Sequence, residues 1–111
     1  MAGSPRMTPQ TISVLRELLN DPLAEHYGLG LCKATGIAGG TLYPILIRLE
    51  EYGWVESRWD DPAAHQGRPP RRHYRITEDG LESGREAIAR AGEKRRRAAG
   101  SRRPGIAGGT A

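Results

Sequence analysis

The apolar spacing of this 111-residue chain changes period at Gly53, and that change decides what it can fold into. Before Gly53 the apolar residues recur at three- and four-residue steps, the repeat of a helix that buries one face. Ile12, Leu15, Leu18 and Leu19 form one such stripe, and Leu42, Ile45, Leu46 and Leu49 form another. After Gly53 the repeat is two, the pattern of a half-buried strand. Trp54-Val55-Glu56-Ser57-Arg58-Trp59 alternates, and His73-Tyr74-Arg75-Ile76 does so again, with Tyr74 and Ile76 on one face. Helices followed by two short strands and a closing helix predict an α+β domain, mainly α, with a three-helix core, a two-stranded antiparallel ribbon and a C-terminal helix.

Local signals set the boundaries. Thr8-Pro9 starts the first helix, because Thr caps free N–H groups and Pro loses no hydrogen bond at the first helical position. Asn20-Asp21-Pro22 ends it. A short second helix is expected from Tyr27 to Gly36, with Tyr27 in the core. A third is expected from about Gly39 or Gly40 to Tyr52, closed by Gly53, with Pro44 near its first turn. Residues 60–71 are rich in Asp, Gly and Pro and read as a loop. Thr77 is a good N-cap for a helix over about 78–98, with Glu78 and Asp79 at the positive end of its dipole. The expected domains are a flexible extension at 1–7, the core at 8–77, the C-terminal helix at 78–98 and a disordered basic tail at 99–111.

A chain of this length fits one domain with one modest core. No run of about 18 apolar residues exists, so no membrane span is expected. Met1 to Met7 lack the apolar centre of a signal peptide. The single cysteine, Cys32, excludes an internal disulfide and fits a reducing cytoplasm. Net charge is +4, but residues 84–111 hold eight basic and two acidic side chains, a net of +6. Residues 1–83 therefore carry −2, and an anion-binding surface there must be local, the only cluster being Arg68, Arg71, Arg72 and Arg75.

The middle of the chain has the parts of a helix-turn-helix. Cys32 is small enough for a close helix contact, Gly36 fills the turn, Ile37 plugs the core, and Leu42 and Ile45 face back to Leu31. The third helix opens on Gly39-Gly40-Thr41-Leu42-Tyr43-Pro44. Glycines there let a phosphate approach the free amides of a helix N-terminus. With Leu42, Ile45 and Leu49 inward, Thr41, Pro44 and Arg48 point outward with Tyr43 beside them, as on a helix that reads a major groove.

Gly40-Thr41-Leu42-Tyr43-Pro44-Ile45-Leu46, Arg48-Leu49-Glu50 and Gly53-Trp54-Val55 resemble the core signature of PadR-like transcriptional regulators. Gly67-Arg68-Pro69, Tyr74-Arg75-Ile76-Thr77 and Gly80 resemble its wing signature. The resemblance covers about residues 8–98. It implies a winged helix-turn-helix repressor of the branch with one C-terminal helix, dimeric through its first and last helices, with duplex DNA as partner. Control of stress or detoxification genes, and release by a small-molecule effector, are implied by resemblance alone; the sequence shows no effector site.

On this reading Gly40, Thr41, Tyr43, Pro44 and Arg48 contact DNA, and Arg68, Arg71 and Arg72 do so from a loop stiffened by Pro69-Pro70. Ile12, Leu15, Leu19, Leu81 and Ile88 are expected as exposed apolar stripes that join two copies, and the operator is expected to be an imperfect palindrome. Trp54, Trp59, Tyr52 and Tyr74 read as packing, and Lys94 to Arg97 as a solvated helix end. No cofactor, metal or catalytic site is expected: His26, His65, His73 and Cys32 lack ligand spacing, and His65 with Asp60 and Asp61 comes nearest. No phosphate loop, nucleotide fingerprint or triad appears. The alternative is a winged-helix protein-interaction module that binds no DNA.

Overall fold

The computed structural model describes residues 4–61, 63 and 67–109, and side chains as far as residue 99. His65, named above for a metal, lies outside the described residues, as do residues 1–3 and 110–111 of the two termini. Seven elements follow in order: α1 (Pro9–Asn20), β1 (His26–Tyr27), α2 (Gly28–Thr35), α3 (Gly39–Glu51), β2 (Val55–Trp59), β3 (Arg72–Ile76) and α4 (Glu78–Gly109).

Each helix starts or stops where its sequence provides for it. Thr8 caps α1 by accepting the Thr11 N–H at 3.1 Å, with Pro9 at the first position. Gly36 ends α2 in the left-handed region, φ 74°, and its N–H reaches the Cys32 carbonyl at 2.8 Å. Thr35 stitches the turn beyond, donating to the Leu31 carbonyl at 2.7 Å and accepting the Ile37 N–H at 3.2 Å. Gly53, φ 79°, turns the chain from α3 into β2.

The sheet has three antiparallel strands in the order β1-β3-β2, not the two of the sequence reading. His26 faces Tyr74 and Tyr27 faces His73, so the segment before α2 pairs with the far side of the wing. On the other side Val55 faces Ile76, Ser57 faces Tyr74, and Trp59 faces Arg72. Tyr27 is consequently at an exposed edge and not in the core.

Val14, Leu15, Leu18, Leu31, Leu42, Ile45, Leu46 and Leu49 meet Trp54, Val55, Tyr74, Ile76 and Ala87 in one core. Full burial of each large aliphatic side chain contributes about 2 kcal/mol. Ile12 and Leu15 belong to this interior, with Leu15 wholly enclosed, so they are not the exposed stripe expected of them. The cover is the chain's own α4: a Cβ at Gly84 would stand 3.5 Å from the Leu15 Cδ2 and 3.9 Å from the Trp54 ring. Leu19, Leu81 and Ile88 are half-buried, and Leu19 and Ile88 pack against the core. The helix α4 runs on to Gly109, through residues whose composition reads as disordered.

Candidate nucleic-acid interface

Helix α3 buries Leu42, Ile45, Leu46 and Leu49 and turns Thr41, Tyr43, Pro44, Ile47 and Arg48 to solvent. Its N-cap is Ala38, which has no side-chain acceptor, so no side chain covers the leading amides. Gly40 is exposed, and a Cβ there would meet nothing within 4 Å. The amide-rich tip is thus open. Pro44 sits inside the helix, in its second turn rather than its first, and has no N–H to return to the Gly40 carbonyl.

Tyr43 leans across the start of α2. A Cβ on Gly28 would fall 2.2 Å from its hydroxyl, and one on Gly39 would lie 3.3 Å from its ring. Two glycines therefore seat this ring between two helix N-termini. The ring also lines a cleft of about 620 Å³ shared with Tyr27, Lys33, Trp59, Arg71 and Arg72. The tip of α3 and the base of the wing consequently share one face.

The wing is held by Asp60, a buried carboxylate. Its Oδ2 accepts the Arg71 backbone N–H at 2.9 Å and Arg68 Nη1 at 3.0 Å, and its Oδ1 is hydrogen-bonded to His73 Nε2. The His73 bond first, then the Arg71 amide, holds this carboxyl far below the usual aspartate range. Asp60 N–H returns to the Arg71 carbonyl at 2.8 Å and closes the ring. The other ring nitrogen, His73 Nδ1, lies 3.4 Å from Glu25. Glu25 is gripped by Arg58 at 2.9 and 2.6 Å, which lowers its own pKa.

The family model for the PadR-like transcriptional regulators matches residues 18–88. The chain belongs to this family. Among solved structures, a PadR family transcriptional regulator from Eggerthella lenta is 32% identical, over 74% of this chain and 74% of that one, with a TM-score of 0.59. A PadR-like transcription factor from Bacteroides fragilis is 24% identical over 79% of this chain and 84% of that one, TM-score 0.63. The fold also resembles MepR of Staphylococcus aureus, at 18% identity over 86% of this chain and 65% of that one, TM-score 0.61. A comparison with curated sequences gives no match.

The expected residues of this PadR-like chain do not all share one environment. Gly40, Thr41, Tyr43, Pro44 and Arg48 stand together on the outer side of α3, and Arg48 makes no ion pair among the described residues. The arginines of the wing separate. Arg71 is exposed, its guanidinium 4.6 Å over the Tyr27 ring. Arg68 turns back to Asp60. Arg72 is in β3 and not in the loop; it donates to Ser57 at 3.0 Å, lies 3.8 Å from Glu50 and covers the Trp59 ring at 5.2 Å. Trp59 packs on the ribbon through that contact but is 57% exposed.

Lys33, Leu29 and Tyr27 also border this face, and the sequence reading passed over them as interface residues. A signal existed for Lys33. On a helix whose inward residue is Leu31, a cation two places on faces away from the core.

Among the described residues no helix is long and apolar enough to cross a membrane, and no group of metal-ligating side chains is found.

Proposed function

We propose that this PadR-like regulator is a dimeric repressor that inserts α3 into the major groove of duplex DNA and rests its wing on the neighbouring backbone. One observation carries the reading: the uncapped tip of α3 is open, Thr41 and Arg48 lie on the solvent side of the same helix, and Lys33 and Arg71 border the cleft beside Tyr43, with none of the three cations paired to a carboxylate among the described residues. The first-turn amides and Thr41 suit a phosphate or a base edge, and Arg48 and Arg71 suit phosphates. Arg68 and Arg72 act mainly by holding the wing in position. No catalytic role is proposed.

Two copies would join through the groove between the start of α1 and α4, bordered by Met7, Pro9, Ile12, Ala87 and Ala91, with Leu19, Leu81 and Ile88 on the same pair of helices. Two-fold symmetry then sets the recognition helices roughly 34–36 Å apart and calls for a palindromic operator.

The test is binding-site selection with the purified protein, then affinity measurements on the selected duplex. A Thr41→Ala, Arg48→Ala double variant should keep its fold and lose the operator. Unchanged affinity refutes the assignment. If no duplex is selected and no gel shift appears even at low salt, the interaction-module reading stands instead.

A further inference from the structure

We propose that the cleft between α2, Tyr43 and the base of the wing is a binding site for a nucleoside phosphate, and that this ligand competes with DNA. The inference rests on the reading of this face as the DNA interface only for the competition; the binding itself stands apart from it.

Wall chemistry is the first observation. Tyr27, Tyr43 and Trp59 present ring surface to the cleft, and Lys33, Arg71 and Arg72 bring three cations. None of the residues bordering it is acidic. Flat rings accept a flat ring, and guanidinium planes also stack on bases. Arg72 is shared with Glu50 at 3.8 Å, but Lys33 and Arg71 make no ion pair among the described residues, and two such cations suit more than one negative charge. A base joined to a phosphate dianion answers both demands, whereas a DNA phosphate alone leaves the rings unused.

Exposure is the second. Six large apolar side chains are exposed among the described residues, and four of them, Tyr27, Leu29, Tyr43 and Trp59, border this one cleft. Such clustering marks a surface meant to be covered. The volume, about 620 Å³, is that of a small-molecule site.

The charges are poised as well. Arg71 already lies over Tyr27, whose ring also packs against His73 at 4.7 Å, and Arg72 lies over Trp59, so both rings hold a cation at the border of the cleft. Lys33, on α2, makes no ion pair among the described residues and is available for the phosphate. Tyr43 and Arg71 belong also to the proposed DNA interface, so the two ligands exclude each other.

The full chain is titrated without DNA against adenosine monophosphate, with adenosine and ribose phosphate as the ring-only and phosphate-only probes. Trp59 fluorescence and calorimetry are the readouts. The nucleotide should saturate one site per chain and quench Trp59. Each half-ligand should bind about tenfold more weakly or worse. Lys33→Gln and Arg71→Gln, both at exposed positions, should each weaken the nucleotide about tenfold with unchanged melting. The nucleotide should then raise the apparent Kd for the selected duplex in proportion to its own saturation.

No saturation at millimolar nucleotide overturns the proposal, as does indifference to both substitutions. Ribose phosphate binding as well as the nucleotide also overturns it and leaves a plain phosphate site of the DNA interface. Nucleotide binding that leaves DNA affinity untouched overturns the competition. If the nucleotide binds and no duplex does, the cleft assignment holds and the DNA reading fails.

Discussion

Gly80 lies against the backbone of Trp54, so closely that a methyl group on its Cα would fall 2.0 Å from the Trp54 carbonyl oxygen. The same carbonyl accepts the Thr77 N–H at 2.9 Å, and the Thr77 hydroxyl donates to Gly53 at 2.7 Å while accepting the Gly80 N–H at 2.9 Å. The N-terminus of α4 is thus clipped to the turn that leads into β2. Two motifs far apart in sequence, Gly53-Trp54-Val55 and Ile76-Thr77 with Gly80, are one contact in space.

Gly80→Ala is the sharpest probe of that contact. Overpacking against backbone costs about 3 kcal/mol, and Ala regains about 1 kcal/mol of helix propensity. A net loss of about 2 kcal/mol is expected in urea melts. Gly30→Ala, where a Cβ would meet nothing within 4 Å, should instead be neutral or stabilising. Equal melts for the two variants would contradict the clip.

The sequence showed the helices and ribbon because periodicity and caps are local. Thr8, Gly36, Gly53 and Thr77 act within a few residues of where they stand. It could not show β1, because His26 and Tyr27 offer no alternation to detect and are strand only through β3. Apolar spacing told which side of α1 is buried, not what buries it; the cover proved to be the chain's own α4, so Leu15 is not a surface residue. The candidate interface was legible in part for a similar reason. Thr41 and Arg48 follow from helical phase alone. Arg72 does not, because strand register beside Ser57 and Trp59 determines what its side chain meets.

Acid should unfasten the wing. Asp60 has its pKa depressed in the folded chain, chiefly by His73 and then by the Arg71 amide. The folded state therefore binds this proton less readily than the unfolded state does. Its stabilisation is complete above the ordinary aspartate pKa of about 3.9 and is lost as pH falls through the lower folded value. Asp60→Asn should be less stable at neutral pH and show a flatter decline in urea midpoint below about pH 4. An unchanged acid limb would show that other carboxylates govern it.

Arg71 and Arg72 are neighbours with opposite expected phenotypes. Arg71→Ala should lower the slope of log affinity against log salt by about 0.9, the loss of one phosphate contact, without changing the melt. Arg72→Ala removes contacts to Ser57, Glu50 and Trp59 and should lower the melting temperature with little change in slope. A salt titration of both variants on the selected duplex checks the pair. Swapped phenotypes would mean that Arg72, not Arg71, reaches the DNA.

Gly28 offers a way to move Tyr43 without touching it. A Cβ at Gly28 would meet the hydroxyl at 2.2 Å and the ring at 2.5 Å, but these atoms are the far end of a side chain free to swing. Gly28→Ala should therefore cost little stability, since Ala also favours α2, while displacing the ring from its seat between α2 and α3. If Tyr43 touches DNA through its hydroxyl, affinity falls about tenfold in Gly28→Ala. The Gly28→Ala, Tyr43→Ala double variant should then bind no worse than Tyr43→Ala alone, because one substitution acts through the other. Additive losses would mean that the α2 backbone at Gly28 meets the DNA itself, and no loss in either variant would remove Tyr43 from the interface.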